Sequence, residues 1–410
     1  MEQQVWIPDS WTKFYTFSMC LLVFTTADVS WLMSVPRPLA FLLACISAVI
    51  LIYKQGGCFS TGRMSFVLIW FVYILTNILT SSFTVVKFVF YLMLFFSMSS
   101  VAVLSIDRMK YLLKAINSCF VFILTVSLFG WILFLSGVPL PFTGPIYHAD
   151  NFHVYNDYYF FTTSHLNRLY YRFSSIFLEP GQLATPCVFL FHLNTRNEKV
   201  FCYKNMILLV AIILSFSLIS YGLLLLSFVV NTVSRNKEGG NKVVWLAVTL
   251  LLLGGVTWYF IAHEDNAVHT LIVSRLEYDE ENNTISGYNR TGDNFEFEYA
   301  LLMNTPNKYF GIGETLHKDD YDWTTHASGY KKFIVFHGIV GLAIVLLLLA
   351  VLVFYNFSKA SLVFCVMVFL AFWVRNMLTT PLWLTITIIG MYLIGSDNGS
   401  LNLNTNYKFR

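Results

Sequence analysis

Arg172 and Glu179 stand seven residues apart in the stretch RFSSIFLEPG, at the seam between a polar loop and an apolar run. Charges at such a seam are costly unless something needs them. A guanidinium is a planar fork that donates two hydrogen bonds to phosphate oxygens. A carboxylate can take a proton from a nucleophile, or it can hold the arginine in place. Arg275 and Arg290 lie about a hundred residues downstream among many acids, and His326 comes just before another apolar run. Each downstream arginine either pairs with a neighbouring carboxylate or points at an anionic ligand. His326 is either structural or a base, since an unperturbed imidazole titrates near neutrality. Fixed cations of this kind stabilise charge on a leaving group. A nearby base adds typically ~10²–10⁴-fold by removing a proton from the attacking group.

The elements that must position these residues are membrane helices. The chain has 410 residues, 57% hydrophobic, 18% aromatic and 12% charged, with mean hydropathy +0.63. That composition excludes a soluble globular domain. Apolar runs read as membrane helices fall at about 14–33, 38–54, 64–81, 84–105, 117–136, 179–194, 243–262, 333–355, 360–374 and 379–395, with a further apolar stretch at 206–234. The first residues lack the basic region and cleavage site of a signal peptide, so the first helix is expected to be retained. The expected fold is all-α: one polytopic membrane domain over 1–410 with about 12 transmembrane helices.

Lysine and arginine in short loops set the orientation. Lys54 and Arg63 flank one turn, and Arg108, Lys110 and Lys114 crowd another. Arg196, Lys199 and Lys204 mark a third, and Arg235, Lys237 and Lys242 a fourth. With all four cytoplasmic, both termini lie inside. The loops 137–178 and 263–332 then face outward. The last two clusters share a side, so 206–234 must enter and return. At 1.5 Å per residue it is too short for two full spans. A hairpin of two short helices broken near Ser215 to Gly222 meets both conditions, because freed backbone groups can face a cavity or protein. The other possibility is one long tilted helix that violates the charge rule.

The first outer loop is rich in tyrosine and phenylalanine, which serve either as an interfacial belt or as stacking faces for sugar rings. The second is acidic overall and holds the turn-forming NTPNKYFGIG, Asn304 to Gly313. Seven cysteines lie in apolar helices or short basic loops, so neither a disulfide framework nor a metal site is expected. No cofactor and no nucleic-acid partner is expected.

In order and spacing, these pieces resemble a known family. An arginine–aromatic–small segment leads into Phe177-Leu178-Glu179-Pro180-Gly181. Later come Ser274-Arg275, then SGYNR ending at Arg290, then NTPNKYFGIG, then THASGYKKFIVFHGIVG. The set is similar to the O-antigen polymerase and ligase superfamily of bacterial inner-membrane glycosyltransferases. The likeness runs from Arg172 to Gly341. There are departures: Ala327 follows His326 where the family commonly has asparagine, and the hairpin reads SYG where Ser-Arg is frequent.

The resemblance implies a polymerase on the outer face of the inner membrane. It would move an oligosaccharide from polyprenyl diphosphate to a sugar hydroxyl of the next lipid-linked unit, inverting and without a metal. Arg172, Arg275 and Arg290 would bind the diphosphate, and Glu179 or His326 would be the general base. Glu179 has a second possible role, holding Arg172. Membrane lipid surrounds the site, and a chain-length regulator and a flippase are the expected protein partners. A ligase that moves finished glycan to a lipid core is the nearest alternative. A flippase of the same lipid-linked sugar is the alternative from another class.

Overall fold

A computed structural model of the chain describes residues 6–26, 36–80, 84–148, 153–164, 172–197, 202–234, 278–279, 284–285, 293–313 and 329–397. The helix expected at 243–262, most of the loop 263–332, and Arg275, Arg290 and His326 lie outside the described residues.

The protein is mostly helical with a little sheet. Among the described residues, five helices are long and apolar enough to cross a membrane. They are α2 (Arg37–Gln55), α3 (Thr61–Thr80), α4 (Val85–Ala102), α5 (Ile106–Leu135) and α11 (Gly329–Tyr355). These spans mark the chain as a membrane protein. Other helices are α1 (Ser10–Thr25), α6 (Pro180–Asn197), α7 (Tyr203–Leu214) and α8 (Leu218–Ser234). The chain also forms α9 (Asp293–Met303), the single turn α10 (Asn307–Phe310), α12 (Lys359–Val374) and α13 (Pro381–Asp397).

The chain divides into two compact units. The first comprises Met1–Phe120, Phe297–Thr324 and Ser328–Arg410; the second comprises Val121–Glu296 and Thr325–Ala327. Their boundary falls inside α5, between Phe120 and Val121, where the sequence has no linker. One difference from the sequence reading concerns α5. Arg108, Lys110 and Lys114 are not in a loop but on the first turns of a 30-residue helix. At 1.5 Å per residue, such a helix rises about 45 Å, longer than the hydrocarbon core.

In the first unit α13 lies at the centre. Ile386, Ile388, Ile389 and Met391 have no exposed surface, and α1, α4, α11 and α12 pack around the helix. Tyr15 on α1 and Ser100 on α4 share a buried hydrogen bond of 2.8 Å. Such bonds hold helices together where apolar contact alone gives no preference over lipid.

Helix α11 is interrupted. Gly338 has φ 70° and ψ 179°, which no helix contains. The chain at Gly311–Gly313 fills the gap. Ile312 N–H donates to the Val335 carbonyl at 2.8 Å, and Gly313 N–H to Phe336 at 3.1 Å. The approach is backbone on backbone, so both sides need glycine. A Cβ on Gly311 would strike the Phe336 carbonyl, and one on Gly338 would strike the carbonyl of Tyr309. The GIG of NTPNKYFGIG is therefore the cover of a broken apolar helix.

In the second unit α6 is the buried helix, with α7 and α8 both packed on it. Its side chains from Leu183 to Phe191 are almost wholly covered. His192 Nδ1 and Ser227 Oγ lie 2.9 Å apart, joining α6 to α8. Asn194 donates to Asn205 at 3.0 Å, joining α6 to α7. The all-α expectation misses a small antiparallel sheet in the loop 137–178: β1 (Gly144–His148), β2 (His153–Asp157) and β3 (Thr162–Ser164). Tyrosine, valine and threonine favour the pleated conformation. The β2–β3 turn is fixed by Asp157, whose side chain accepts from Tyr159 N–H at 2.9 Å. Tyr158 and Phe161 stack across it at 4.9 Å.

Gly311→Ala and Gly338→Ala are each expected to destabilise the protein by about 2–3 kcal/mol or more, from backbone clash and positive φ together. The two losses add incompletely in the double variant, because both open the same junction. Gly222 in α8 meets nothing within 4 Å of its notional Cβ. Gly222→Ala is expected to be neutral or stabilising by up to about 1 kcal/mol. Thermal unfolding in detergent checks all four proteins.

Candidate functional site

Among the described residues, the richest convergence is on RFSSIFLEPG itself, in the second unit. The apolar run 206–234 breaks at Ser215–Ser217, between α7 and α8. The last carbonyls of a helix have no partner within it, and in an apolar setting each one left bare costs several kcal/mol, by the general magnitude of about 1–3 in proteins and more in hydrocarbon. Here every one is met. Ser215 N–H takes Ala211 at 3.1 Å, and Ser215 Oγ donates to Ile212 at 2.6 Å. Tyr221 Oη donates to Ile213. Phe173 N–H donates to Leu214 at 2.9 Å. Arg172 closes the set, with Nε donating to the Ser215 carbonyl at 3.0 Å and Nη2 to Phe216 at 2.7 Å. A fork is the right shape to reach two successive carbonyls. The negative end of the helix dipole favours a cation there.

The residues that follow bind elsewhere in the same unit. Phe173 packs edge-on to Trp131 of α5, with centroids 5.5 Å apart. Ser175 Oγ lies 2.7 Å from Ser127 Oγ of α5. Thr162 of β3 donates from its N–H to Ser175 at 2.8 Å and from its hydroxyl to Phe177 at 2.8 Å. Ser175 itself takes φ 52°, a left-handed conformation rare outside glycine. Ser175, with Ser174 whose Oγ lies 3.1 Å from Thr162 Oγ1, thus ties the aromatic sheet to the seam.

Glu179 opens α6. Its carbonyl accepts the N–H groups of Gln182 at 3.0 Å and Leu183 at 3.3 Å, while Gln182 Oε1 reaches back to the Glu179 N–H at 3.4 Å. This is one arm of a capping box. Pro180 occupies the first helical position, where a missing N–H does no harm. Glu-Pro-Gly is thus a helix start first. Its carboxylate, half-buried, sits at the positive end of the α6 dipole. Arg172 and Glu179 therefore hold opposite ends of one segment, each with a separate structural task. The other expected site residues, Arg275, Arg290 and His326, lie outside the described residues.

The first unit holds a polar centre that the motifs do not mark. His337 stands beside the break in α11, and its Nδ1 lies 2.6 Å from Asn77 Oδ1 of α3. Asn77 donates its amide to the Tyr73 carbonyl at 2.7 Å. Phe333 and Tyr73 flank the imidazole at 4.3 and 5.8 Å between centroids. The signal was present in the sequence: a histidine directly before a glycine in an apolar run, and an asparagine inside another. Intramembrane polar pairs of this kind are functional candidates. Among the described residues, no three His, Cys, Asp or Glu side chains gather as metal ligands.

No known protein family, no characterised protein and no solved structure matches the chain.

Arg172→Gln removes the charge and one of the two carbonyl contacts at the break. It is expected to lower stability by about 1.5–3 kcal/mol, the range for hydrogen bonds to charged groups. Arg172→Lys restores part of this, because a point donor reaches one carbonyl but not two. Glu179→Gln keeps the backbone cap and is expected to cost about 1 kcal/mol or less. Unfolding temperatures of the three purified variants test this order.

Proposed function

We propose that the protein is a polysaccharide polymerase of the O-antigen type. It transfers oligosaccharide repeat units from a polyprenyl diphosphate to a hydroxyl of the next lipid-linked unit. The observation that carries the reading is the seam Arg172–Gly181. A stretch that carries part of the family likeness is also the one that seals an interrupted apolar helix. Irregular backbone among apolar helices is tolerated only where protein or a cavity receives it. Membrane proteins use such breaks to meet polar substrates.

In this reading the chain has about 12 membrane helices, lies in the bacterial inner membrane, and has both termini cytoplasmic. The loops 137–178 and 263–332 face outward. Arg275 and Arg290 supply positive charge to the leaving diphosphate, with Arg172 as a third guanidinium held in fixed orientation by the break. A guanidinium stays charged whatever it bonds to, so sealing the helix and attracting phosphate are compatible. Diphosphate is already a weak base, and its departure needs no proton. The acceptor hydroxyl does need a base, and His326 or Glu179 takes its proton. The exposed rings of Tyr159 and Phe160, at the β2–β3 turn, offer faces to sugar rings.

A flippase for the same lipid-linked sugar is the second reading. The break in α11 beside the His337–Asn77 pair favours it, because transporters place their sites at discontinuous helices.

Gel analysis of surface polysaccharide tests the first reading. Arg275→Ala or Arg290→Ala is expected to collapse the ladder to single units at unchanged protein level. Normal ladders in both variants contradict the diphosphate assignment. His326→Gln and Glu179→Gln, made separately, identify the base, and full activity in both removes the two candidates. A deletion strain separates polymerase from ligase: single units stay attached to the lipid core in the first case, and no glycan is attached in the second.

A further inference from the structure

Four of the five candidate spans meet at one end of the first unit. α2 ends at Gln55 and α3 starts at Thr61, while α4 ends at Ala102 and α5 starts at Ile106. Their two connecting turns lie against each other. Cys58 N–H donates to the Val103 carbonyl at 2.8 Å. Arg63 of α3 donates to the Leu104 carbonyl, and Arg108 of α5 donates to the Gly56 carbonyl at 3.3 Å. Each guanidinium thus reaches from its own helix to the opposite turn.

Neither has its charge answered by a hydrogen-bonded acid among the described residues. Arg63 is only 7% exposed; it donates to one carbonyl and lies over the face of Tyr392, 4.8 Å from the ring centroid, with Cys58 also within electrostatic reach. The carbonyl and the ring carry no formal charge. The Nε of Arg108 is buried and makes no hydrogen bond among the described residues. Asp9 and Cys58 lie within electrostatic reach of Arg108. Asp9, however, accepts from Thr12 N–H at 2.7 Å as the cap of α1. Lys54, Lys110 and Lys114 stand exposed on the adjoining turns.

A buried cation without a counter-ion is unfavourable, and an orphaned donor beside it adds to the cost. An anion with several acceptor oxygens relieves both at once. The site lies where four spans end, which is the level of the lipid headgroups. Basic pockets between span ends hold anionic headgroups in this way. We propose that Arg63 and Arg108 form a seat for the phosphate of an anionic phospholipid. This seat is independent of the transfer reaction proposed above.

The test is thermal unfolding of the full-length protein in detergent with phosphatidylglycerol, phosphatidylcholine or inorganic phosphate added. Phosphatidylglycerol is expected to raise the unfolding temperature and the other two to leave it unchanged. Arg108→Gln is expected to lower the lipid-free unfolding temperature slightly, by loss of its bond to the Gly56 carbonyl, and to bind phosphatidylglycerol about fivefold more weakly, the share of one juxtamembrane cation. If that variant does not fold, Arg108→Lys replaces it; it keeps the charge but loses the Nε donor, so a smaller weakening of phosphatidylglycerol binding is expected. Lys110→Gln with Lys114→Gln is the control and is expected to keep most of the shift. Equal shifts from both lipids overturn the proposal, as does an undiminished shift in the Arg108 variant. A loss in the lysine control equal to that in Arg108→Gln makes the attraction diffuse and overturns the seat. A full shift with inorganic phosphate assigns the site to a soluble phosphate and overturns the lipid.

Discussion

A carbonyl freed inside an apolar helix has no water to turn to, so the chain must bring a donor to it. The second unit is arranged around that requirement. The break at Ser215–Ser217 exposes the end of α7, and Arg172 and Phe173 arrive from the loop 137–178 to cover it. Because those two residues are held there, the next few are held as well. Ser174 and Ser175 meet β3 and α5, and Glu179-Pro180 starts α6 at a defined point. One guanidinium thereby fixes the junction of a broken helix, a small sheet and a buried helix.

The same solution recurs with other donors. In the first unit the interruption at Gly338 is covered by the N–H groups of Ile312 and Gly313. The turns at Gly56 and Leu104 are covered by Arg108 and Arg63. Arginine suits these places because it stays charged in apolar surroundings and its long stem reaches across from a neighbouring element. The electrostatics also match, since the carbonyl end of each helix is the negative one. Arginines in such a membrane protein need not be ligand-binding residues first. A guanidinium that seals backbone and one that attracts phosphate can be the same group.

The spans were legible in the sequence because 18 or more apolar residues in a row leave few alternatives. The interruption in 206–234 was legible in its serines and in the short distance between two basic clusters. What closes that interruption was not, because 43 residues separate Arg172 from Ser215 and no local period links them. The break in α11 was hidden for a similar reason. Its glycine is one of several in the run, and only the meeting with Gly311 gives it meaning. The small sheet was missed because a run of aromatic residues reads equally well as an interfacial belt. Of the expected site, Arg172 and Glu179 were found for their charge at a seam, and each proves to carry a backbone task that charge alone does not disclose. His337 and Asn77 were overlooked because a single polar residue in an apolar run stands out only when its partner is known.

The most direct test of the central claim is reconstitution. Purified protein is placed in liposomes with lipid-linked repeat units and no ion gradient, and the products are sized. A polymerase yields chains of two or more repeats with release of polyprenyl diphosphate. Movement of intact lipid-linked units between leaflets without lengthening or diphosphate release contradicts the account.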